Sequence, residues 1–180
     1  MTRIASRRAL APCVLALAAL AACVVNLSFN YTVSNQPVQQ TTTGNSINTA
    51  ISVDLSGQSD IQQHAGNIQS LDLDSLQLTI ASVPSDNSVQ TVTGTLSLRP
   101  SGVTNNSQDV LVGSLNAFAI TANNSVTLQG TPALNAFALQ TVQGSEKFQA
   151  IISGSTTGGQ TADFTVNVTL SMTMAYNTGL

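Results

Sequence analysis

From Phe164 to Met174 every second residue is apolar: Phe164, Val166, Val168, Leu170, Met172 and Met174, with Thr, Asn and Ser between them. Successive side chains of a strand point to opposite faces, so this spacing demands an extended segment with one face in a core and the other in water. A helix would scatter the same residues around its circumference. The pattern recurs in Leu27, Phe29, Tyr31 and Val33, and again in Ile47, Thr49, Ile51, Val53 and Leu55. It returns in Val92, Leu96 and Leu98, opposite Thr91, Thr93, Thr95 and Ser97, and in Phe148, Ala150 and Ile152. Leu71 and Leu73 sit on one parity and Leu76, Leu78 and Ile80 on the other. A parity switch inside one strand predicts a β-bulge near Asp74-Ser75, where an extra residue re-aims the side chains.

Punctuation between these runs sets the rest. Asn35 to Ser46, with Pro37 and three consecutive Thr, reads as a polar loop. Ser59 or Asp60 caps a short helix through about Ala65, stopped by Gly66-Asn67. Pro84 to Asn87 reads as a turn and Pro100 ends a strand. Residues 101–147 are less legible. Thr131-Pro132 opens a short helix over about 132–142. The pentapeptide Leu115 to Ala119 recurs as Leu134 to Ala138, but its flanks do not match, and repeat architectures need three or more units. Ser155 to Gln160 is a Gly-rich turn joining the last two runs into a hairpin. The expectation is an all-β antiparallel β-sandwich of seven or eight strands with one or two short helices, in a single domain over 23–180. Charged residues are 7% of the chain, where roughly 25% is usual, but 42% is hydrophobic and periodic, which a disordered chain is not.

The first 22 residues read differently. Arg3, Arg7 and Arg8 precede an apolar run from Ala9, and small residues stand at Ala21 and Ala22, the three-part pattern of an export leader. As a membrane span the run is short and interrupted by Pro12. Leu20-Ala21-Ala22-Cys23 resembles the lipobox of bacterial lipoproteins. In that class the cysteine thiol receives diacylglycerol, a dedicated peptidase cuts just before it, and the new amino group is often acylated, commonly with palmitate. The resemblance implies that 1–22 is removed and that Cys23 is the lipid attachment site and first residue of the mature protein. It further implies that no free thiol remains for disulfides, thiolate metal sites or cysteine catalysis. Val24 follows the cysteine where Asp favours inner-membrane retention, so the outer membrane is the expected destination.

Beyond the leader, Arg99 and Lys147 face eight carboxylates, leaving the mature part at −6. That balance excludes the basic stripe on which nucleic-acid binding depends, and a polybasic grip on anionic lipid. The one histidine, His64, has no Gly-x-Ser-x-Gly elbow to serve and is expected at a solvated surface. Asp72 and Asp74 project to one strand face, where such a pair could hold Ca²⁺ or act as glycosidase acid and base; the plainer expectation is that they face solvent. No catalytic, metal or cofactor site is expected. The Thr-rich faces fit solvated strands. With so few charges to guard its edge strands, the domain is open to strand addition, to itself or to a protein partner. The sequence thus predicts a non-enzymatic, lipid-anchored structural or interaction module of the cell envelope, the alternative being a carrier holding a small apolar ligand between its sheets.

Overall fold

Eight strands alternate between two antiparallel sheets in the computed structural model, which describes residues 23–41 and 44–178. The proposed leader, 1–22, lies outside the described residues. In chain order the elements are β1 (Val24–Thr41), β2 (Ser46–Asp54), α1 (Ser59–His64), β3 (Ile68–Ser82), β4 (Val89–Pro100), a 3-10 turn (Asn106–Gln108), β5 (Val110–Ala119), β6 (Ser125–Gln129), α2 (Pro132–Val142), β7 (Lys147–Gly158) and β8 (Thr161–Asn177). One sheet has the order β1-β8-β3-β6 and the other β2-β7-β4-β5. Apart from the β4-β5 hairpin, every connection between consecutive strands crosses from one sheet to the other. Eight strands so wound make a jelly-roll sandwich.

The inward faces are those that the alternation marks. Phe164, Val166, Val168, Leu170, Met172 and Met174 of β8 are all buried, as are Ile47, Ile51 and Val53 of β2 and Val92, Leu96 and Leu98 of β4. Each such side chain taken from water stabilises the sandwich by roughly 1.5–3 kcal/mol before entropy is counted. The parity switch in β3 is a bulge: its register against β8 shifts between Leu73 and Ser75, which keeps both Leu71-Leu73 and Leu76-Leu78-Ile80 inward. Gly94 of β4 and Gly154 of β7 face each other across the ladder, where a Cβ on Gly94 would stand 2.1 Å from the Ser153 carbonyl oxygen. Only glycine lets these backbones approach so closely.

Several expectations need correction. The loop expected over Asn35 to Ser46 is strand as far as Thr41, the register of β1 against β8 shifting between Val33 and Gln36. Asn35 absorbs the extra residue at φ 53°, a left-handed conformation that Asn tolerates, and Val38 is then fully buried. Pro37 costs no ladder bond because β1 is an edge strand. The final two runs are not a hairpin either. β7 pairs with β2 and β4, and β8 with β1 and β3, so the chain turns at 159–160 and changes sheet. That crossing is pinned by Ser88, whose carbonyl accepts from the Gly159 N–H and whose hydroxyl accepts from the Thr161 N–H. Ser155 to Gly158 belong to β7. In α1 the N-cap position is Gln58, with no side-chain cap bond, so neither Ser59 nor Asp60 caps it. α2 has the expected bounds, with the Thr131 side chain accepting from the Leu134 N–H.

The two sheets differ in length. The Tyr31 hydroxyl donates to the Asp54 carbonyl at 2.6 Å, so β2 ends level with Tyr31 and residues 24–30 of β1 extend beyond it by about 23 Å. The helices take the place of the missing second sheet there. α2 buries Leu134, Phe137 and Val142 and lies along β3, where Asn135 accepts from the Leu73 N–H. α1 buries Ile61, and His64 stacks on Tyr176 near the end of β8.

Candidate anchoring site

Cys23 stands at the extreme end of the longer sheet, exposed and with a free thiol. Its carbonyl oxygen accepts from the Thr178 N–H at 3.1 Å and from the Thr178 hydroxyl at 3.3 Å. Val24 pairs with Asn177 and Val25 with Tyr176 directly after it. The residue that would carry the lipid is therefore already part of the β1-β8 ladder, four residues before the alternation that begins at Leu27. Val24 is 59% exposed and Val25 38%, two of the three large exposed hydrophobic residues among those described, the third being Leu111. No charged residue occurs in β1. In β8 the only one is Asp163, at the far end opposite Gln39.

The other singled-out residues do not converge on this end or on each other. His64 is half-buried, its ring stacked on Tyr176 with centroids 3.6 Å apart, and so is not the solvated histidine expected. Asp72 precedes the β3 bulge and Asp74 is its extra residue, and each is already engaged. Asn135 Nδ2 donates to Asp72 at 2.7 Å, and the Thr173 hydroxyl donates to Asp74 at 2.8 Å. Among the described residues no three or more His, Cys, Asp or Glu side chains gather as metal ligands would. Arg99 forms a two-pronged pair with Asp109, Nε to Oδ1 at 2.6 Å and Nη2 to Oδ2 at 2.8 Å, which raises the guanidinium pKa further. Lys147 pairs with Asp54 at 2.9 Å. The Asp54 carboxyl is lowered to about 2, chiefly by the Ser56 hydroxyl donating to it and next by Lys147. Both basic residues of the domain are thus committed to internal pairs. The Thr ladders are stitched by hydroxyls: Ser28 to Thr173 and Thr32 to Thr169 at 3.0 Å, Ser82 to Thr165 and Thr91 to Thr157 at 2.7 Å.

The space between the sheets is filled. A void of about 10 Å³ remains among Leu78, Ile80, Val92, Leu115, Phe118, Ile120, Ile152 and Phe164. A surface cleft of about 420 Å³ runs along α2 past Pro100, Gln108, Val110, Ala136, Phe137 and Gln140. No helix among the described residues is long and apolar enough to cross a membrane.

Neither a family model nor a curated protein matches this chain. Solved structures that align with it include the protein of desmodium yellow mottle tymovirus, at 12% identity and TM-score 0.38, over 100% of this chain and 97% of that one. The decameric BFDV capsid protein aligns at 16% identity and TM-score 0.40, over 84% and 98%. Turnip yellow mosaic virus aligns at 12% and 0.35, over 99% and 93%. Likeness this distant carries no function across.

Proposed function

We propose that this chain is a lipid-anchored, non-enzymatic structural or interaction module of a bacterial cell envelope, held by Cys23 and exposed to partners through its sandwich. The observation that carries the reading is Cys23 itself: an exposed thiol at the terminal edge of the sandwich, directly after Leu20-Ala21-Ala22. Two or three acyl chains, at about 0.8 kcal/mol per buried methylene, anchor far more firmly than the marginal single chain. With Cys23 in the ladder there is no leash, and the domain is held against the bilayer. The outer membrane is the proposed site, on the absence of Asp after the cysteine.

The non-enzymatic part draws support from His64, which stacks on Tyr176, and from Asp72 and Asp74, each held by a neighbouring side chain. The carrier alternative draws none comparable. Ligand pockets measure about 300–1,000 Å³, and the gap between these sheets is about 10 Å³. Fractionation tests the anchor. Cys23→Ala should move the protein from the membrane to the soluble fraction; a mutant that still sediments with membranes would mean that the chain is held elsewhere.

A further inference from the structure

The sandwich has four edge strands, and three of them are short, irregular or crossed by another strand. β6 is five residues long and lies beside β5, where Leu128 packs against Gly113. β5 itself departs from regular register against β4 at two points. β2 is crossed by β1, whose side chains take one outward group near each of its ends: Gln40 Oε1 accepts from the Asn48 N–H, and the Tyr31 hydroxyl donates to the Asp54 carbonyl. The fourth edge is β1. Its second half is interrupted by the irregularity at Val33/Gln36 and by Pro37, but Val24 to Val33 pairs with β8 without a break and carries neither charge nor proline. Edges this long are ordinarily guarded by charges, prolines or bulges.

The direction of each backbone group follows from one bond. The Thr178 N–H donates to the Cys23 carbonyl, so the odd-numbered residues of this stretch bond to β8, and hydrogen-bonded pairs alternate in an antiparallel ladder. The N–H and C=O groups of Val24, Asn26, Ser28, Asn30 and Thr32 therefore point away from the sheet. On the core side Leu27, Phe29 and Tyr31 are only half-buried, and Val25 is exposed.

We infer that the Val24–Val33 edge of β1 pairs antiparallel with the same edge of a second copy of this chain, about a two-fold axis through Ser28. The segment is self-complementary in that register. Val24 meets Thr32 of the second copy, Asn26 meets Asn30, and Ser28 meets Ser28. These five hydrogen-bonded positions exchange about ten N–H···O bonds. Between them Val25 faces Tyr31 and Leu27 faces Phe29, so the half-exposed apolar residues cover one another. Each domain carries −6, yet no two like charges meet at this contact. The second copy is the fitting occupant because backbone, polar face and apolar face all match under one rotation. The two four-stranded sheets become one of eight strands.

The pairing uses no lipid and does not rest on the anchoring proposal, but it constrains it. Cys23 comes opposite Val33, which sets the two cysteines about 34 Å apart along the strands. If both are lipidated in one bilayer, the joined strands lie along its surface.

Disulfide trapping in the full-length chain carrying Cys13→Ala tests the inference. Hydrogen-bonded partners have Cα atoms about 5.5 Å apart, within disulfide reach, so Ser28→Cys should be recovered as a covalent dimer after mild oxidation. Thr32→Cys, eight residues out of register with its own copy, should stay monomeric. Asn30→Pro, added to Ser28→Cys, removes one outward N–H at an edge position where proline is tolerated; it should abolish the dimer while leaving the circular dichroism spectrum unchanged. A monomeric Ser28→Cys protein, equal trapping at position 32, or trapping that survives Asn30→Pro would each overturn the pairing. The Ser28→Cys dimer should also form in the Cys23→Ala chain, and its failure there would overturn the pairing too. Release of that chain from membranes bears on the anchor alone.

Discussion

Phe164→Ala tests the filled sandwich most severely. Phe164 is 1% exposed and touches the small void whose other walls come from β3, β4, β5, β7 and the residue after β5. Losing the ring forfeits about 1.5–3 kcal/mol of transfer free energy. It also opens a cavity on the order of 100 Å³, which at about 24 cal/mol per Å³ costs about 2 kcal/mol more. The walls have little freedom to close in, since β8, β3, β7 and β4 are each paired on both sides. The expected loss is therefore about 4–5 kcal/mol, within the range known for Phe→Ala. That is a large share of a total stability of about 5–15 kcal/mol. In urea melts followed by circular dichroism the midpoint should fall with an unchanged slope, and the thermal midpoint should drop by roughly 8–20 °C. A loss below about 1.5 kcal/mol would mean that the sheets part or close easily around this position. The case against a ligand-holding interior would then fail.

Thr156 is 4% exposed and its hydroxyl has no hydrogen-bond partner. Thr156→Val removes that unpaired group at nearly constant shape and should raise stability by about 1 kcal/mol; a fall in the urea midpoint would show that the hydroxyl is satisfied. Asp54 titrates at about 2 in the fold against an ordinary 3.8. A lowered carboxyl stabilises above the unfolded value and loses that contribution as pH falls through the folded one. The gap in stability between wild type and Asp54→Asn should therefore narrow between pH 4 and 2, and a gap constant across that window would contradict the Ser56 and Lys147 contacts as its source. Asp109→Asn leaves the Arg99 guanidinium, 14% exposed, without its charged partner and should cost about 1–3 kcal/mol. A change within 0.5 kcal/mol would place the pair among surface bridges of little worth.

Strict alternation was a sound guide wherever one face of a strand is wholly buried, as in β8, β2 and β4, and the parity switch located the β3 bulge. The same sign in β1 was hidden because the stretch after Asn35 offers one buried hydrophobe, Val38, among Gln, Pro and Thr. β5 and β6 went unseen for related reasons. Ala117 at φ 46° breaks the β5 period, and β6 half-buries only Val126 and Leu128. Leu-Asn-Ala-Phe-Ala marks the limit of local sequence: it is a strand at Leu115 to Ala119 and part of a helix at Leu134 to Ala138. What separates them is context, pairing with β4 for the first and the Thr131-Pro132 start for the second. Alternation gives the face of a strand and not its sheet, which is why β7 and β8 were read as a hairpin. Cys23 was singled out from the residues before it; its place in the ladder, and the side of β1 left open, depended on which strand β1 pairs with.

The anchor is the centre of this account, and mass spectrometry of the N-terminal peptide from protein purified out of membranes tests it directly. A peptide beginning at Cys23 and carrying diacylglyceryl and acyl mass is the predicted result. A peptide that begins elsewhere, or an unmodified Cys23 thiol, would contradict it.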